Sequence, residues 1–520
     1  MTAQAGAQSV GHDLAELLPR DGKAWWKKPH LLSLNMMLFS AMMFSSAGGY
    51  DNSMMNGLQA LEQWQVFMGH PVGAWLGFIN AAQALGVIFG YPAMAYCADR
   101  WGRKRSVYYG VALLAVATGL QTGASSEAMF IVARFLVGTA SAFFGAIPVL
   151  ITETAFPTHR GKMTAGYNTL YYVGSLVSAW ATFGTRNYTT SWAWRIPSVL
   201  QMLIPTISLP GFFLCPESPR WLINQGRTNE AREFFFKYHA GGDYQSPLVP
   251  FEMAEIEEAL EAEKANHQSG SYADMIKTKG NRHRLFVSVA LGIFAQWNGV
   301  GVVSYYLAAV LTTVGITSVT QQTLINGFLQ LWNLFIAVSA ASLVDRVGRR
   351  PLLILSSFGM LICYVIITGL SGSFASTQHA ATGLAVIPML FIYYGFYDIA
   401  FTPLLISYPA EIWQYQLRSR GIAVTFTSTM LALFFNLFVN PIALNAIAWK
   451  YYIVYVAILV LICFTAWFCF PETRGRSLEE IAVLFDGEDA NIAPPGAVRE
   501  AIELKMADKE AMHVENVKEA

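Results

Sequence analysis

Long apolar segments alternate with short polar loops along most of this chain. An α-helix needs about 20 mostly apolar residues to cross the hydrocarbon core of a bilayer. Segments of this kind, which we number spans 1 to 12 in chain order, lie near residues 31–56, 73–97, 106–122, 128–151, 164–184, 196–215, 285–310, 323–345, 351–371, 382–408, 421–440 and 449–470. The pattern predicts an all-α membrane protein with twelve transmembrane helices in two six-helix bundles.

Polar segments flank and separate the two bundles. Residues 1–30 lack the apolar core and cleavage site of a signal peptide, and Trp25-Trp26-Lys27-Lys28 is typical of an interfacial anchor. A charged run with helical character, Glu252–Lys264, lies between spans 6 and 7. We predict a cytoplasmic N-terminal tail (1–30), an N-terminal bundle (31–215), a cytoplasmic loop with short helices (216–284), a C-terminal bundle (285–470) and a cytoplasmic C-terminal tail (471–520).

Composition agrees with a membrane protein and excludes several other classes. Charged residues make up 13% of the 520 residues and hydrophobic residues 54%, whereas soluble proteins carry about 25% charged residues. The 34 basic and 34 acidic residues cancel, so no global field favours nucleic acid. The five cysteines show neither metal-ligand spacing nor the pairing of a secreted disulfide framework. We expect no metal, cofactor or nucleic-acid partner, and a monomer in the lipid bilayer.

Basic residues in the short loops predict the orientation, because cytoplasmic loops carry an excess of Lys and Arg. With a cytoplasmic N-terminus, the inner loops hold Arg100, Arg103, Lys104, Arg105, Arg160, Lys162, Arg346, Arg349, Arg350, Arg418 and Arg420, and the outer loops hold Arg186, Arg195 and Lys450. Both termini are therefore expected in the cytoplasm. The sequon that begins at Asn187 then lies outside, where it is a candidate for glycosylation.

Three motifs occur once in each half at nearly the same separation. Asp99-Arg100-Trp101-Gly102-Arg103-Lys104 after span 2 returns as Asp345-Arg346-Val347-Gly348-Arg349-Arg350 after span 8. Glu153 with Arg160 after span 4 returns as Glu411 with Arg418 after span 10. Pro216-Glu217-Ser218-Pro219-Arg220 after span 6 returns as Pro471-Glu472-Thr473-Arg474 after span 12. Duplicated six-helix halves of this kind are typical of alternating-access transporters.

These motifs resemble those of the sugar porter family of the major facilitator superfamily. The resemblance covers roughly residues 30–485 and also includes Arg134-Phe-Leu-Val-Gly138, Pro148…Glu153…Arg160-Gly161 and the Pro-Glu-Thr-Arg-Gly-Arg run at 471–476. Within the family, Gly49–Gly57, Ala295-Gln296-Trp297, Ser304-Tyr305-Tyr306-Leu307 and Thr402-Pro403-Leu404-Leu405 are most like fungal lactose and cellodextrin permeases. The resemblance implies the major facilitator fold and import of a sugar across the plasma membrane, generally with a proton.

The repeated charges predict a gating network at the cytoplasmic end of the helices. Its members are Asp99, Arg103, Lys104, Glu153, Arg160, Glu217, Arg220, Asp345, Arg349, Arg350, Glu411, Arg418 and Glu472. We expect acids and bases to pair across the two halves when the inner side is shut, since switching needs a bistable element. The alternative is a set of charges that only fixes topology, which explains the arginines but not the acids at matched places.

Ionisable groups inside the membrane are few and therefore informative. Asp51 lies about 30 Å along span 1 and Arg134 about 9 Å below the outer end of span 4, at 1.5 Å per residue. The two reach a similar depth, where a carboxylate and a guanidinium can pair. The resemblance implies proton coupling by this pair, and the alternative is a static ion pair. Asp398 in span 10 is a second buried acid, with either a proton-transfer or a hydrogen-bonded structural role.

A sugar site needs amides and hydroxyls among aromatic rings, because each sugar hydroxyl requires a partner and the ring face stacks. The candidate residues are Asn168, Gln296, Asn298, Tyr305, Tyr306 and Asn333. The two tyrosines suit an external gate. The alternative for each amide is a hydrogen bond between helices. Relative to the usual sugar porter motifs, the small Gly301 and Ile406 suggest room for a disaccharide, although a hexose remains open.

Other functions compete with proton-coupled sugar import. A multidrug antiporter normally carries a Gly-Pro-rich motif in span 5, whereas Gly174–Gly184 contains no proline. A passive sugar facilitator typically lacks the acid in span 1, and a sugar sensor usually bears a longer tail. An enzyme is not expected, because no nucleophile–base set occurs within the spans.

Overall fold

The computed structural model describes residues 24–265, 272–414, 417–474 and 478–486, and all twelve predicted spans are helical. In the N-terminal half, span 1 is Pro29–Met42 and Ser45–Ala60, span 2 Gly73–Trp101, span 3 Arg103–Thr122, span 4 Glu127–Phe143 and Ala146–Thr154, span 5 Arg160–Thr169 and Tyr171–Thr185, and span 6 Trp192–Val199 and Leu203–Leu214. In the C-terminal half, span 7 is Lys279–Trp297 and Val300–Thr313, span 8 Val319–Val347, span 9 Arg349–Thr377, span 10 Ala380–Leu384 and Val386–Ile412, span 11 Arg418–Ile447, and span 12 Tyr451–Cys469.

Length and apolar composition qualify most of these helices to cross a membrane. Within the described parts of the chain, nine helical ranges meet both criteria, and one of them, Arg420–Cys469, contains spans 11 and 12 together. Spans 3 and 5 are helical but less apolar. In span 5 the polar residues Ser175, Ser178 and Thr182 are buried against other helices, which reconciles a modest hydropathy with a position inside the bundle.

The two halves meet along two main seams. Span 2 packs against span 11, and span 5 packs against span 8. Within the N-terminal half, span 1 packs on span 5 and span 2 on span 4, while span 9 packs on spans 10 and 12 in the other half. Span 1 also contacts spans 7 and 8 of the other half, and span 5 contacts span 10, so these five spans surround the centre of the molecule, where the candidate site lies.

Span 7 is broken in the middle, which divides it into a lower segment and an upper segment. Gly299 takes a left-handed backbone conformation with φ 100°. The Asn298 side chain accepts a hydrogen bond from the Val300 amide at 2.9 Å, which caps the new helix start. The Tyr364 hydroxyl donates to the Gly299 carbonyl at 2.8 Å. A second irregular residue, Tyr306, lies within the upper segment.

Short helices lie outside the spans, at the end where spans 6 and 7 are joined. They are Pro219–Asn224, Thr228–Phe234, Leu248–Ala265 and Asp274–Lys277. The third contains the charged run Glu252–Lys264, so the predicted helical character is confirmed. His239 and Glu252, 2.9 Å apart and buried, join this helix to the end of span 4, because the His239 ring also bonds to the Thr154 carbonyl.

Part of the predicted C-terminal tail is an ordered helix, Leu478–Asp486, packed on the base of the second half. Asp486 forms two 2.8 Å hydrogen bonds with Arg284, whose side chain is fully buried at the start of span 7. Phe485 lies under the same guanidinium, 4.7 Å from ring centroid to carbon. The predicted C-terminal tail therefore contains a short helix, whose nine residues bury a charged partner and two apolar side chains, Ile481 and Phe485.

Candidate functional site

We call the end of the bundle that carries residues 99–105 and 345–350 the basic end, and the opposite end the far end. Both ends and the centre between them contain candidate site residues. The centre holds buried acids, amides and tyrosines contributed by both halves.

Asp51 and Arg134 are in contact, as their calculated depths predicted. Asp51 Oδ1 accepts a hydrogen bond from Arg134 Nη1 at 3.1 Å, and both side chains are almost completely removed from solvent. Arg134 also donates to the Ile79 carbonyl at 3.0 Å. The second carboxylate oxygen, Asp51 Oδ2, is buried and has no hydrogen-bond partner among the described residues. This unpaired oxygen is a place where a proton can bind.

Asp398 joins the two halves at the centre. Tyr172 on span 5 donates to Asp398 Oδ1 at 2.5 Å, and Thr402 donates to the same oxygen at 2.8 Å. Asp398 is fully buried, and no basic side chain is in ion-pair contact with it in the part of the chain that the structure describes. The hydrogen bonds agree with a structural role, and the second oxygen, which has no described partner, leaves proton transfer open.

Tyrosines and amides surround these acids. Asn52 donates to the Tyr171 hydroxyl at 2.8 Å, and the Ser304 and Tyr394 hydroxyls are 2.5 Å apart. Tyr397 stacks on Phe401 with ring centroids 5.8 Å apart. Aromatic faces beside amide and hydroxyl groups are the chemistry that a sugar needs. These residues were absent from the sequence-based candidates, because nothing in their spacing distinguishes them from packing residues.

The six predicted sugar-binding residues fall into two groups in the structure. Asn168, Gln296 and Tyr305 are partly exposed. Asn298, Tyr306 and Asn333 are buried. In the second group, Asn298 caps the break in span 7, and the Tyr306 hydroxyl donates to the Leu437 carbonyl at 2.5 Å. Asn333 Oδ1 has no hydrogen-bond partner among the residues described. The first group is therefore the more accessible to a ligand in this conformation.

One size argument from the sequence is wrong. A Cβ built on Gly301 would lie 2.8 Å from Asn436 Nδ2, so the space that the glycine leaves is already filled by span 11. Asn436 is held there because it donates to the Gln296 carbonyl at 2.5 Å. Of the two small residues, Gly301 and Ile406, only Ile406 is still consistent with extra room for a disaccharide, because it is partly exposed.

Hydrogen bonds close the far end between spans 1 and 7. The Asn56 side chain accepts from the Leu307 amide at 3.1 Å and donates to the Ser304 carbonyl. Gln59 donates to the Tyr305 carbonyl at 3.0 Å. All three acceptor or donor atoms on span 7 belong to the backbone. Sequence reasoning missed this closure, because nothing in the spacing of Asn56 and Gln59 distinguishes them from the other polar residues of Ser45–Ala60.

At the basic end, each half contains its own ion pair. Arg103 lies 3.3 Å from Glu153 in the first half, without hydrogen-bond geometry, and Arg349 donates to Glu411 at 2.8 Å in the second half. We expected acids and bases to pair across the two halves. In each of these ion pairs, however, both partners belong to the same half.

A second acid in each half caps the start of a helix. Glu217 accepts from the backbone amides of Arg103 and Lys104, and Glu472 accepts from those of Arg349 and Arg350. Burial raises the pKa of Glu217 above its usual value, and the amide donors oppose that rise. Carboxylates are stabilised at helix N-termini by the free amides and the helix dipole. The repeated acids thus have a matched structural role.

The glycines of the repeated motifs explain this geometry. Gly102 and Gly348 have φ of 103° and 108°, a conformation that L side chains rarely adopt. A Cβ at Gly102 would lie 2.4 Å from Glu217 Oε2, and one at Gly348 would lie 2.8 Å from Glu472 Oε2. Glycine at these positions therefore lets each acid reach the amides of the following helix.

The remaining candidates at this end have more varied surroundings. The Lys104 side chain donates to the Phe213 carbonyl, and the Arg350 side chain donates to the Trp467 carbonyl. These two residues therefore also occupy matched places in the two halves. Asp99 is 79% exposed and lies 3.4 Å from Arg103. Arg160 is exposed, and Arg220 and Arg418 are partly buried. The Asp345 side chain lies outside the described residues. Asn187, at the far end, is exposed.

A model of the family described as "Sugar (and other) transporter" matches residues 37–485 of this chain. Among curated proteins, the chain is 29% identical over 443 residues to the MFS-type transporter oryC of Aspergillus oryzae, covering 83% of this chain and 82% of that protein. It is 27% identical over 480 residues to the high-affinity glucose transporter of Kluyveromyces lactis, covering 89% of this chain and 86% of that protein. It is 30% identical over 411 residues to CsbC of Bacillus subtilis, a probable metabolite transport protein, covering 78% and 85%.

Solved structures of XylE, the xylose transporter of Escherichia coli, are similar to this chain in fold. The partially occluded inward-open form has a TM-score of 0.71 at 22% identity and covers 86% of this chain and 100% of XylE. The form described as a proton:xylose symporter bound to 6-bromo-6-deoxy-D-glucose has a TM-score of 0.70 at 23% identity, covering 87% and 99%. The major facilitator fold predicted from the sequence is therefore confirmed, and the protein is a multi-pass membrane transporter and not an enzyme.

Proposed function

Since the chain belongs to the sugar (and other) transporter family, we propose that it imports a sugar together with a proton across the plasma membrane. Transport proceeds by alternating access, in which the two six-helix halves expose a central site first to one side and then to the other. Asn168, Gln296 and Tyr305 contact the sugar from the two halves. Asp51 binds the proton, with Arg134 as its partner.

The observation that carries this proposal is the buried ion pair between spans 1 and 4. A static pair needs no free oxygen, whereas Asp51 Oδ2 is buried without a described partner. Protonation of Asp51 removes the charge attraction while Arg134 keeps its bond to the Ile79 carbonyl. The guanidinium is thus not left without a hydrogen-bond partner when span 1 is released. A passive facilitator has no use for such an arrangement.

For the substrate, we propose a β-linked disaccharide such as lactose or cellobiose, or a hexose. The disaccharide rests on the resemblance of the Gly49–Gly57 and Ser304–Leu307 motifs to fungal lactose and cellodextrin permeases. The hexose is supported by the glucose transporters among the relatives, such as that of Kluyveromyces lactis. Amides and tyrosines from both halves suit either, because both classes of sugar present hydroxyl groups and a stacking face.

We further propose that the basic end faces the cytoplasm, as the excess of Arg and Lys in its loops favours. Both termini and the loop at 216–284 then lie inside, and Asn187 lies outside. The five-part division into tails, bundles and loop follows the same orientation. In this arrangement the far end, where hydrogen bonds join spans 1 and 7, is the outer one.

Uptake of labelled glucose, lactose and cellobiose by a transporter-null yeast that produces this chain tests the proposal. We expect accumulation of one sugar against its gradient at acidic external pH and loss of that accumulation with a protonophore. Equal accumulation with and without the protonophore contradicts the symport. Failure to take up any of the three sugars, with the protein at the cell surface, contradicts the substrate class or favours a sensor.

A further inference from the structure

An apolar groove on the outside of the molecule lies between spans 8 and 10. Its volume is about 750 Å³, within the range of ordinary small-molecule sites. It is lined by Leu324, Ile325, Phe328, Leu331, Trp332, Phe335, Ile387 and Phe391. Phe328, Leu331 and Phe335 are exposed. Because these helices cross the bilayer, the groove opens toward lipid.

One hydrogen bond and one contact between aromatic rings hold the walls of this groove in place. The Trp332 indole donates to the Phe391 carbonyl at 2.7 Å, which ties span 8 to span 10. Trp180 on span 5 packs edge-on against Phe328 with ring centroids 5.8 Å apart. The groove therefore has a defined shape and borders the seam between spans 5 and 8.

A cation lies at the far end of the same seam. Arg186 follows the last turn of span 5, and its Nε donates to the Thr320 hydroxyl on span 8 at 3.3 Å. Its Nη1 donates to the Phe183 carbonyl, and the guanidinium lies 3.8 Å from the Phe183 ring centroid. Among the described residues Arg186 has no carboxylate partner and Nη2 has no hydrogen-bond acceptor. A charge that is half-buried and held in place in this way suits an anionic ligand group.

The spacing between the cation and the groove matches a lipid. Thr320, the contact of Arg186, lies one helical turn above Leu324, where the groove begins. From Leu324 to Phe335 the groove runs about 16 Å along span 8, at 1.5 Å per residue. Half of the hydrocarbon core of a bilayer is about 15 Å thick. We propose that the groove binds one acyl chain of a phospholipid, whose phosphate pairs with Arg186 at the far end.

Charge favours a phospholipid over a sterol as the occupant. Arg pairs with phosphate through two parallel N–H···O bonds, which a single sterol hydroxyl cannot form. The bound lipid fills the notch between spans 8 and 10 and bridges to span 5 through its headgroup. It therefore contacts both halves of the protein at one of the seams that must rearrange during transport.

Photolabelling of the full-length protein tests this site. The protein is placed in phosphatidylcholine vesicles that contain a phosphatidylcholine with a diazirine on its acyl chain, and the labelled peptides are mapped by mass spectrometry. We expect label on residues 324–335 and 387–391 several-fold above that on the face of span 12 at Leu461, Phe464 and Phe468, although these three side chains are on average the more exposed. Equal labelling of the two faces in the wild-type protein contradicts the proposal.

Variants separate the headgroup from the chain. We expect Arg186→Ala to lower groove labelling several-fold, because the phosphate loses its charged hydrogen-bond donor, and Arg186→Lys, which keeps the charge but not the two parallel N–H groups, to lower it less. Leu331→Trp fills the groove and should abolish labelling there, whereas Leu461→Trp on span 12 should not. Labelling that is insensitive to Arg186→Ala, or that excess sterol displaces and excess phospholipid does not, contradicts a phospholipid site.

Discussion

The Asp51 carboxylate lies 3.1 Å from the Arg134 guanidinium, and almost no solvent reaches either side chain. Breaking a buried ion pair by removing one partner costs about 3–5 kcal/mol. The pair therefore holds spans 1 and 4 together as long as Asp51 is charged. Protonation of Asp51 is the one change that removes this constraint while both side chains stay in place.

Asp51→Asn should uncouple transport from the proton gradient. Asparagine has the size and hydrogen-bonding groups of the protonated acid but releases no proton. We expect exchange of sugar down its gradient to continue, and accumulation at acidic external pH to fall to the level reached with a protonophore. The control is Glu62→Gln, an exposed acid near the end of span 1. If the Asp51→Asn variant accumulates sugar at the wild-type level, another group carries the proton, and Asp398 is the first candidate.

Gln296→Ala should weaken sugar binding while the protein still reaches the cell surface. A polar group left unpaired in a desolvated site costs about 1–3 kcal/mol, and we expect the KM for uptake to rise accordingly. Gln321→Ala, an exposed glutamine at the far end, serves as the control. An unchanged KM in Gln296→Ala shows that the Gln296 side chain does not bind the sugar.

Asn56→Ala should open the far end. The variant loses the two hydrogen bonds to Ser304 and Leu307, each contributing about 1 kcal/mol, so the population closed at this end should fall by more than tenfold relative to the open one. The distance between spin labels on Glu62→Cys and Gln321→Cys, in a background without native cysteines, measures this shift. Asn52→Ala, which breaks a bond within one half, should leave the distance distribution unchanged. An unaltered distribution in Asn56→Ala argues against its role in closure.

Glu153→Gln should slow turnover with little effect on KM. Glu153 and Asp99 both lie near Arg103, but the Glu153 side chain is 12% exposed and that of Asp99 is 79% exposed. Exposed ion pairs contribute about 0–1 kcal/mol, so Asp99→Asn should transport at the wild-type rate. Comparing the maximal uptake rates of the two variants checks this. Equal rates show that the acid only fixes the topology of the loop.

Asp486→Asn should destabilise the protein. Arg284 is completely buried, and the change leaves its charge without an anionic partner. We expect a loss of up to about 3 kcal/mol in unfolding free energy, at the low end of the range for buried pairs because Asp486 is partly exposed. Thermal unfolding in detergent measures it, with the exposed Glu233→Gln as the control. Equal melting temperatures for both variants contradict a stabilising role of the Leu478–Asp486 helix.

The features that were predicted best from the sequence are those that depend on regular helices. The spans follow from the apolar segments, and the contact between Asp51 and Arg134 follows from counting 1.5 Å per residue along spans 1 and 4. The repeated motifs predicted matched groups at one end, and Arg103 and Arg349 do occupy matched places.

The parts that the sequence did not predict depend on irregular backbone and on contacts between elements. The break at Asn298 and Gly299 turns the upper segment of span 7, which brings the Ser304 carbonyl to Asn56. Gly301 was interpreted as empty space because the sequence does not show that Asn436 faces it. The Leu478–Asp486 helix spaces Leu478, Ile481 and Phe485 on one face, but its partner Arg284 lies in a distant part of the chain.

The far-end contacts of Asn56 and Gln59 reach only backbone atoms of residues 304, 305 and 307. Mutations that alter the side chains at these three positions therefore leave the closing bonds in place. Over evolutionary time, gene copies of such a transporter can change the side chains of this stretch while inheriting the hydrogen bonds that close the far end. If Tyr305 binds the sugar as proposed, a single replacement there changes the substrate preference without a compensating change in span 1.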